Sequence, residues 1–279
     1  YGYNSGGDPT VIPQLTYDQL KAFHRRHYHP SNAFFYTYGD LPLRNHLKFI
    51  NDKIFSHFER MDPKTDVPSH FRWSTTRKKT YFYPLDKNED PSKKCQLCMA
   101  WLTADIKDPF EVLILTILEQ ILLGNSASPL RKALIDCKLG TALCDGTGFD
   151  ANNRDTMFVC GLKDVQESAA DKIETIVLNV LEDLSKNGID KKMIESAIHQ
   201  LEFHRKEVTN IPYPYGIKLL LTFASSWFHG GDPVRILQFD ADLERLRNEI
   251  AKGSFLENRI NKYFIDNSHR VLLTLIPDP

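Results

Sequence analysis

The sequence contains 279 residues, of which 42% are hydrophobic and 25% are charged, and its formal net charge is −1. This composition is typical of a globular protein and argues against a disordered, fibrous or membrane-embedded chain. Because the basic residues are dispersed along the sequence, neither nucleic acid nor an anionic membrane is expected as a partner.

The cysteines and the chain start indicate the setting of the protein. Cysteines stand at five irregularly spaced positions: Cys95, Cys98, Cys137, Cys144 and Cys160. This odd, irregular set does not form a disulfide framework and favours a reducing compartment. The longest apolar run, Val112–Leu118, is far shorter than the roughly 20 residues of a membrane-spanning helix. The chain starts without Met or a targeting segment, so we expect a processed product or a fragment.

The first predicted element is a helix near the N-terminus. Thr16 is a favourable N-cap, and Gln19 stands at the reciprocal position of a capping box. We expect the helix to run from Tyr17 to about Tyr28 and to bury Leu20 and Phe23.

An aromatic strand and a second helix follow. The segment Ala33–Tyr38 predicts a strand, because aromatic residues suit a pleated, buried surface. The helix after Pro42 has its apolar residues at helical spacing: Leu43, Leu47, Ile50 and Ile54. A lone strand cannot satisfy its own backbone groups, so its sheet partners are expected upstream of this sequence.

Beyond a polar stretch at residues 59–79, which predicts an interdomain linker, strands and helices alternate. The predicted strands are 80–85, 94–103, 143–150, 155–162 and 270–276. The predicted helices span 109–123 and 128–138, begin at Asp164 (with Glu167 as a cap partner) and at Asp190, span 217–228, open at Asp232-Pro233, and span 254–266. This order predicts an α+β domain with one largely antiparallel sheet and helices packed on one face.

The segment His199–His204 is the most tempting metal-site candidate. A zinc metalloprotease needs two histidines four residues apart on a helix. Here they are five apart, about 140° around the helix axis. We therefore reject the segment as an active site and interpret it as a solvated helix face. An independent metal site built from Glu195, His199 and Glu202 remains a weaker alternative.

Three other groups have structural interpretations. Cys95 and Cys98 lie in a predicted strand on opposite faces, which favours buried structural thiols. The glycine-rich segment 145–150 lacks the ending of a phosphate-binding loop and predicts a twisted strand. A histidine cluster interleaved with arginines complements the dipole at the end of the first helix: His24, His27 and His29.

Ordered sequence blocks carry a family resemblance. They are Ser5–Pro9, Ile12–Thr16, Phe23–Ala33, Tyr38–Asp40, Ser128–Ile135, Gly161–Lys163 and His269–Pro279. Together they resemble the presequence protease branch of the pitrilysin (insulinase-like) zinc metallopeptidases, of the animal mitochondrial type. The resemblance extends over essentially the whole chain, and its most specific block is Tyr-His-Pro-Ser-Asn-Ala at residues 28–33.

The resemblance implies an enzyme of two halves that enclose a chamber for unstructured peptides. In that family, zinc is held by a His-x-x-Glu-His motif and a distal Glu. This sequence contains no His-x-x-Glu-His motif, and the matched region starts after those ligands. No catalytic or metal-binding residue is therefore carried over to this chain, and its substrate-binding residues stay unknown.

The resemblance also implies a domain organisation and a function. Residues 1–58 would be the tail of the first, catalytic domain, 59–79 the linker, and 80–279 a second, non-catalytic domain. We expect a non-catalytic chamber and scaffold portion of a mitochondrial matrix zinc endopeptidase that degrades targeting presequences and other short unfolded peptides. Its other partner would be the missing remainder of its own polypeptide. The alternative is a structural or peptide-binding non-catalytic relative, and the sequence leaves both open.

Overall fold

The computed structural model of the chain describes residues 4–278; residues 1–3 and 279, where the last sequence block ends, lie outside the described residues. The helices are α1 (Tyr17–His27), α2 (Leu43–Lys53), α3 (Pro109–Leu123), α4 (Pro129–Asp136), α5 (Ala170–Asn187), α6 (Lys191–Lys206), α7 (Tyr215–Phe228), α8 (Pro233–Ile236), α9 (Phe239–Ala251) and α10 (Phe255–Ile260). The strands are β1 (Arg77–Pro84), β2 (Cys95–Asp105), β3 (Ala142–Leu143), β4 (Gly148–Asp150), β5 (Asp155–Val165) and β6 (Arg270–Asp278).

Internal contacts divide the chain into two compact units. One contains the residues up to Pro68 together with Thr209–Ala224. The other contains Ser69–Val208 and the residues from Ser225 onward. Each unit is therefore built from two stretches that are distant in the sequence.

The first unit begins with α1, whose predicted capping box is confirmed. The Thr16 hydroxyl accepts from the Gln19 backbone N–H, and the Gln19 side chain accepts from the Thr16 N–H at 2.7 Å. The predicted burial of Leu20 and Phe23 is wrong, because these side chains are 61% and 56% exposed. Helical periodicity decides which face is apolar, but a buried face also needs another element to cover it.

The segment Ala33–Tyr38, predicted to be a strand whose partners lie upstream of this sequence, forms no ladder in the described part of the chain, so the strand stays a prediction. The backbone enters it in an extended conformation at Ala33 (φ −118°, ψ 141°). Side chains hold it instead: the Tyr36 hydroxyl donates to the Gly216 carbonyl at 3.0 Å. An extended, aromatic segment becomes a strand only where a neighbouring strand supplies the hydrogen bonds.

A mixed but largely antiparallel sheet forms the centre of the second unit, as predicted. Its strand order is β1-β6-β2-β5-β3, and β4 also pairs with β5. Only the pairing of β1 with β6 is parallel within the described residues. The long strands β2 and β5 lie at the middle and set the positions of the side chains on both faces.

The alternation of side chains along β2 assigns its two faces. Leu97, Met99 and Trp101 point into a large core that is shared with the helices. The helix α3 supplies much of that core, which agrees with its apolar character all round. The opposite face carries a small cluster around Cys98. The prediction of helices packed on one face of the sheet is confirmed.

The predicted strand 143–150 consists of two short strands. Between them the chain turns, with the Thr147 N–H donating to the Cys144 carbonyl at 3.2 Å. Gly146 has φ +76°, a left-handed conformation that glycine adopts without a steric penalty. This turn removes residues 144–147 from the ladder.

The predicted cap at Asp164 is wrong, because the ladder extends through this residue. The strand β5 continues to Val165, which pairs with Cys95. Asp164 instead accepts a hydrogen bond from the Thr141 hydroxyl, and α5 begins at Ala170 after a short 3-10 turn. Gly188 ends α5 with φ +88°, as predicted.

The C-terminal helices start where predicted but are shorter. Asp232 caps α8, which ends at Ile236, and a separate helix follows from Phe239. After α10 the chain forms a π turn, in which the Asp266 N–H donates to the Asn261 carbonyl at 2.8 Å. No helix within residues 4–278 combines the length and apolar character needed to cross a bilayer.

Candidate functional site

Of the three candidate metal ligands on α6, Glu202 is engaged in ion pairs. Glu202 lies between Lys206 and Arg247, with both N–O distances at 2.8 Å. The hydrogen bonds from these two cations lower the pKa of Glu202. In the part of the chain that the structure describes, no group of three His, Cys, Asp or Glu side chains is arranged to hold a metal ion. These residues therefore do not fit the zinc of the resembled family.

The N-terminal histidines also have local partners. The His29 Nδ1 accepts from the Ser31 N–H at 3.1 Å, which caps a short 3-10 turn. The other two rings pack on aromatic neighbours one helical turn away: His24 on Tyr28 at 4.7 Å and His27 on Phe23 at 4.4 Å. These contacts give the histidines structural roles in the N-terminal segment.

Cys95 and Cys98 point to opposite faces of the sheet, as the strand period predicts. Cys95 belongs to the large core and Cys98 to the small cluster on the other face. Burial raises the pKa of the Cys95 thiol. It also raises the pKa of Cys160, which lies in the large core. Such thiols stay protonated and behave as small apolar side chains.

The face of the sheet opposite the large core is the candidate functional surface. We call it the open face and define it by Cys98, Ala100, Met157, Val159 and Leu273, which pack together across β2, β5 and β6. Cross-strand pairing sets these side chains next to one another, as in the pair of Ala100 with Val159. Ala100, Met157 and Leu273 remain half-buried. The surface is apolar and spans three strands.

Gly161 allows the strands beneath the open face to approach closely. A Cβ atom at this position would lie 1.9 Å from the Leu97 carbonyl oxygen. On the side of β5 away from β2, the Cys144 N–H donates to the Gly161 carbonyl at 3.0 Å. The Cys98 and Cys144 thiols therefore meet over a position without a side chain. The hydrogen bond between them raises the pKa of Cys98 and lowers the pKa of Cys144.

Polar side chains border the open face at its β3 side. Asp145 lies 3.4 Å from both Lys163 and the side-chain amide of Gln96. A groove of about 800 Å³ runs along the same edge, lined by residues that include Glu119, Arg131 and Lys163. Burial raises the pKa of Glu119. An apolar centre with charges of both signs at the rim can bind a peptide segment by contact and hydrogen bonding.

The sequences of β2 and β5 contain a signal for this apolar surface. Both faces of residues 95–103 and 155–162 are apolar, which predicts burial on two sides. The pattern does not tell which face the helices cover. The structure assigns the helices to the face of Leu97 and leaves the other to small and flexible side chains.

Comparison with known proteins decides the family. The family described as Peptidase M16 inactive domain matches residues 14–201, more than half of the chain. The chain belongs to the peptidase M16 inactive-domain family. This result confirms the family resemblance found in the sequence blocks.

Curated relatives of this M16 chain align over its whole length. Mitochondrial presequence protease is 38% identical in Xenopus laevis and 35% identical in Mus musculus, and each alignment covers 100% of this chain. Protein HypA of Clostridium perfringens is 31% identical over 100% of the chain. The chain spans only 27% of the two presequence proteases and 28% of HypA.

Solved structures share the fold. The peptidase M16 inactive domain from Pseudomonas fluorescens has a TM-score of 0.72 at 19% identity, with 99% of this chain and 61% of that chain covered. A protease from Helicobacter pylori has a TM-score of 0.65 at 17% identity, with 97% and 62% covered. At these identities the likeness establishes the α+β fold.

Proposed function

We propose that this chain is the non-catalytic chamber wall and scaffold of a larger mitochondrial zinc endopeptidase that degrades targeting presequences and other short unfolded peptides. The observation that carries the proposal is the alignment of the entire chain with 27% of proteins named mitochondrial presequence protease. Membership in an inactive-domain family of the M16 peptidases supports the non-catalytic part.

Zinc would be held by the parts of the polypeptide that this sequence does not contain. The absence of a His-x-x-Glu-His motif from the 279 residues supports this assignment. Among residues 4–278, the donor groups also lack a three-membered metal arrangement. Hydrolysis would require residues from outside this chain, and this chain would contribute a surface that binds the peptide.

The open face is the surface that we assign to the peptide. Its apolar side chains, on rigid central strands, suit the non-polar residues of an extended peptide, while Asp145 and Lys163 at the rim offer polar contacts. An unstructured peptide loses conformational entropy when it binds, so a preformed surface favours binding. The mitochondrial matrix is the proposed location, which is consistent with relatives named as mitochondrial.

A peptide-binding experiment tests the assignment. A fluorescein-labelled, unstructured presequence-like peptide is titrated with the chain, and Kd is measured by fluorescence anisotropy. Leu273→Lys places a charge on the half-buried open face, and we expect it to weaken binding by about tenfold. Phe203→Lys, at a 60% exposed position of α6 on the helix side of the sheet, is the matched control and should leave Kd unchanged.

Equal affinities of the two variants would refute the assignment to the open face. Binding that requires this face in a full-length relative without the zinc motif would support the alternative function, a non-catalytic peptide-binding protein.

A further inference from the structure

Residues 69–76, which we call the strap, lead into β1 without forming a helix or a strand of their own. The strap is nevertheless fixed to the end of the sheet. The His70 N–H donates to Asp155 Oδ2 at 2.7 Å. The Arg72 guanidinium donates to the Thr103 carbonyl at 2.7 Å and to Asp155 Oδ1 at 2.9 Å. Asp155 is 6% exposed, so the strap covers a buried carboxylate at the start of β5.

Trp73 fastens the strap to the start of β6. The backbone N–H of Trp73 donates to His269 Nδ1 at 3.1 Å, and its backbone carbonyl accepts from the Ser268 hydroxyl. The rings of Trp73 and His269 stack with centroids 3.9 Å apart and planes 14° apart. The Arg77 guanidinium lies 3.9 Å from the Trp73 ring centroid. Because His269 Nδ1 accepts a hydrogen bond here, this nitrogen carries no proton in the fastened state.

The surroundings of His269 oppose a positive charge on its ring. The side chain is 7% exposed, and burial disfavours the imidazolium. The neighbouring Arg72, His70 and Arg77 disfavour the imidazolium of His269. The acidic neighbour Asp155 favours it. Burial and these neighbouring cations lower the pKa of His269 to about 4. A proton on Nδ1 would also remove the acceptor for the Trp73 N–H.

We propose that the strap is a proton-controlled latch: protonation of His269 releases residues 69–76 from the end of the sheet while the core of the second unit stays folded. The released strap exposes an ordinary histidine, which binds a proton near pH 6.5. The fastened state therefore has its full stability above about pH 6.5 and loses it as the pH falls toward 4. Release frees Asp155 and His269 together, because both bind the same short segment.

Hydrogen exchange measured by mass spectrometry tests the latch. The full chain is compared at pH 7.5 and pH 5.0, with rates corrected for the intrinsic pH dependence of amide exchange. Peptides that cover residues 69–76 should lose protection by about thirtyfold at pH 5.0, as expected for one group whose pKa is about 4 in the fastened state and about 6.5 in the released state. Peptides of α3, in the large core, should keep their protection.

The variant His269→Gln distinguishes release caused by protonation of His269 from acid-induced loosening of the strap by other groups. Its amide oxygen can accept from the Trp73 N–H but cannot be protonated in this range. This variant should keep the strap protected at pH 5.0, although His70 and Asp155 are unchanged. His204→Gln, at an exposed position of α6, should behave as the unmodified chain.

Equal strap protection at the two pH values, equal loss in His269→Gln, or loss only together with α3 would each overturn the proposal. If His269→Gln does not fold, an NMR titration of the His269 ring in the unmodified chain decides. An apparent pKa close to 6.5 would overturn the latch. A depressed pKa with coincident strap release would support it.

Discussion

At the residue scale, Glu111 is a carboxylate that folding buries and then satisfies. It lies in the first turn of α3, and Arg259 binds it with N–O distances of 2.8 and 3.1 Å. Tyr263 donates its hydroxyl and Lys262 lies at 3.4 Å. Burial alone would raise the pKa of Glu111, but these hydrogen bonds and charges outweigh it and lower the pKa. The residue ties α3 to the C-terminal helices.

We expect Glu111→Gln to lower the free energy of unfolding by about 3 kcal/mol at pH 7, because it leaves the partly buried Arg259 without its charge partner. Urea denaturation measures this difference. Since the pKa of Glu111 is lowered by folding, its contribution is present above the unfolded pKa of about 4.3 and is lost at lower pH. The gap between Glu111→Gln and the unmodified chain should therefore shrink in acid.

The control is Asp136→Asn, which breaks the exposed pair with Lys132 on α4. Exposed pairs of this kind contribute less than about 1 kcal/mol. A loss in Glu111→Gln no larger than that in Asp136→Asn would contradict a stabilising role for the buried network.

At the element scale, start signals in the sequence were reliable where the helix is covered by the core. Asp108 Oδ1 accepts from the Glu111 N–H at 3.1 Å and Asp190 caps α6, both as predicted. The signal failed at Asp164, where pairing of β5 with β2 takes the residue into the ladder. A cap is a local preference of about 1 kcal/mol, and continued strand pairing with burial exceeds it.

We expect Asp108→Ala to cost about 1 kcal/mol of unfolding free energy, since the N–H groups of the first turn of α3 lose their side-chain acceptor. Asp108→Asn keeps an acceptor oxygen and should cost much less. Chemical denaturation of the two variants under one set of conditions makes the comparison. Equal losses would mean that the charge, rather than the cap hydrogen bond, stabilises this helix end.

At the scale of the whole molecule, the second unit has a large core on one side of its sheet, whereas many apolar residues of the first unit are exposed. Leu20, Phe23, Leu43 and Leu47 are each more than half exposed. Apolar patches of this kind are typical of interaction sites. They are consistent with the proposal that other parts of a longer polypeptide complete this unit.

We expect the purified chain to have no peptidase activity of its own. A quenched fluorescent peptide should remain intact with the chain, with or without added zinc, because among residues 4–278 the donor groups do not form a metal site. A full-length presequence protease under the same conditions is the positive control. Cleavage by the pure chain that a chelator abolishes would refute the non-catalytic assignment.

Much of the fold could be predicted from the sequence, because its signals are local. Helix α3 is apolar all round and bounded by Asp108 and Gly124, so its limits follow from propensity and capping alone. The alternating segments that became β2, β5 and β6 were recognisable for the same reason. The domain boundaries at residues 58 and 79 stay predictions. So does the absence of catalytic and metal-binding residues from this chain.

Local sequence patterns were enough to predict most helices and strands, the apolar faces, and the lack of a hydrolytic zinc motif in the 279 residues. Tertiary structure alone decided that the helices cover the face of Leu97 and leave the open face, that Ala33–Tyr38 lacks a ladder, and that the strap is fastened through His269. These features depend on which distant segment supplies the contact. Local periodicity carries no information about that partner.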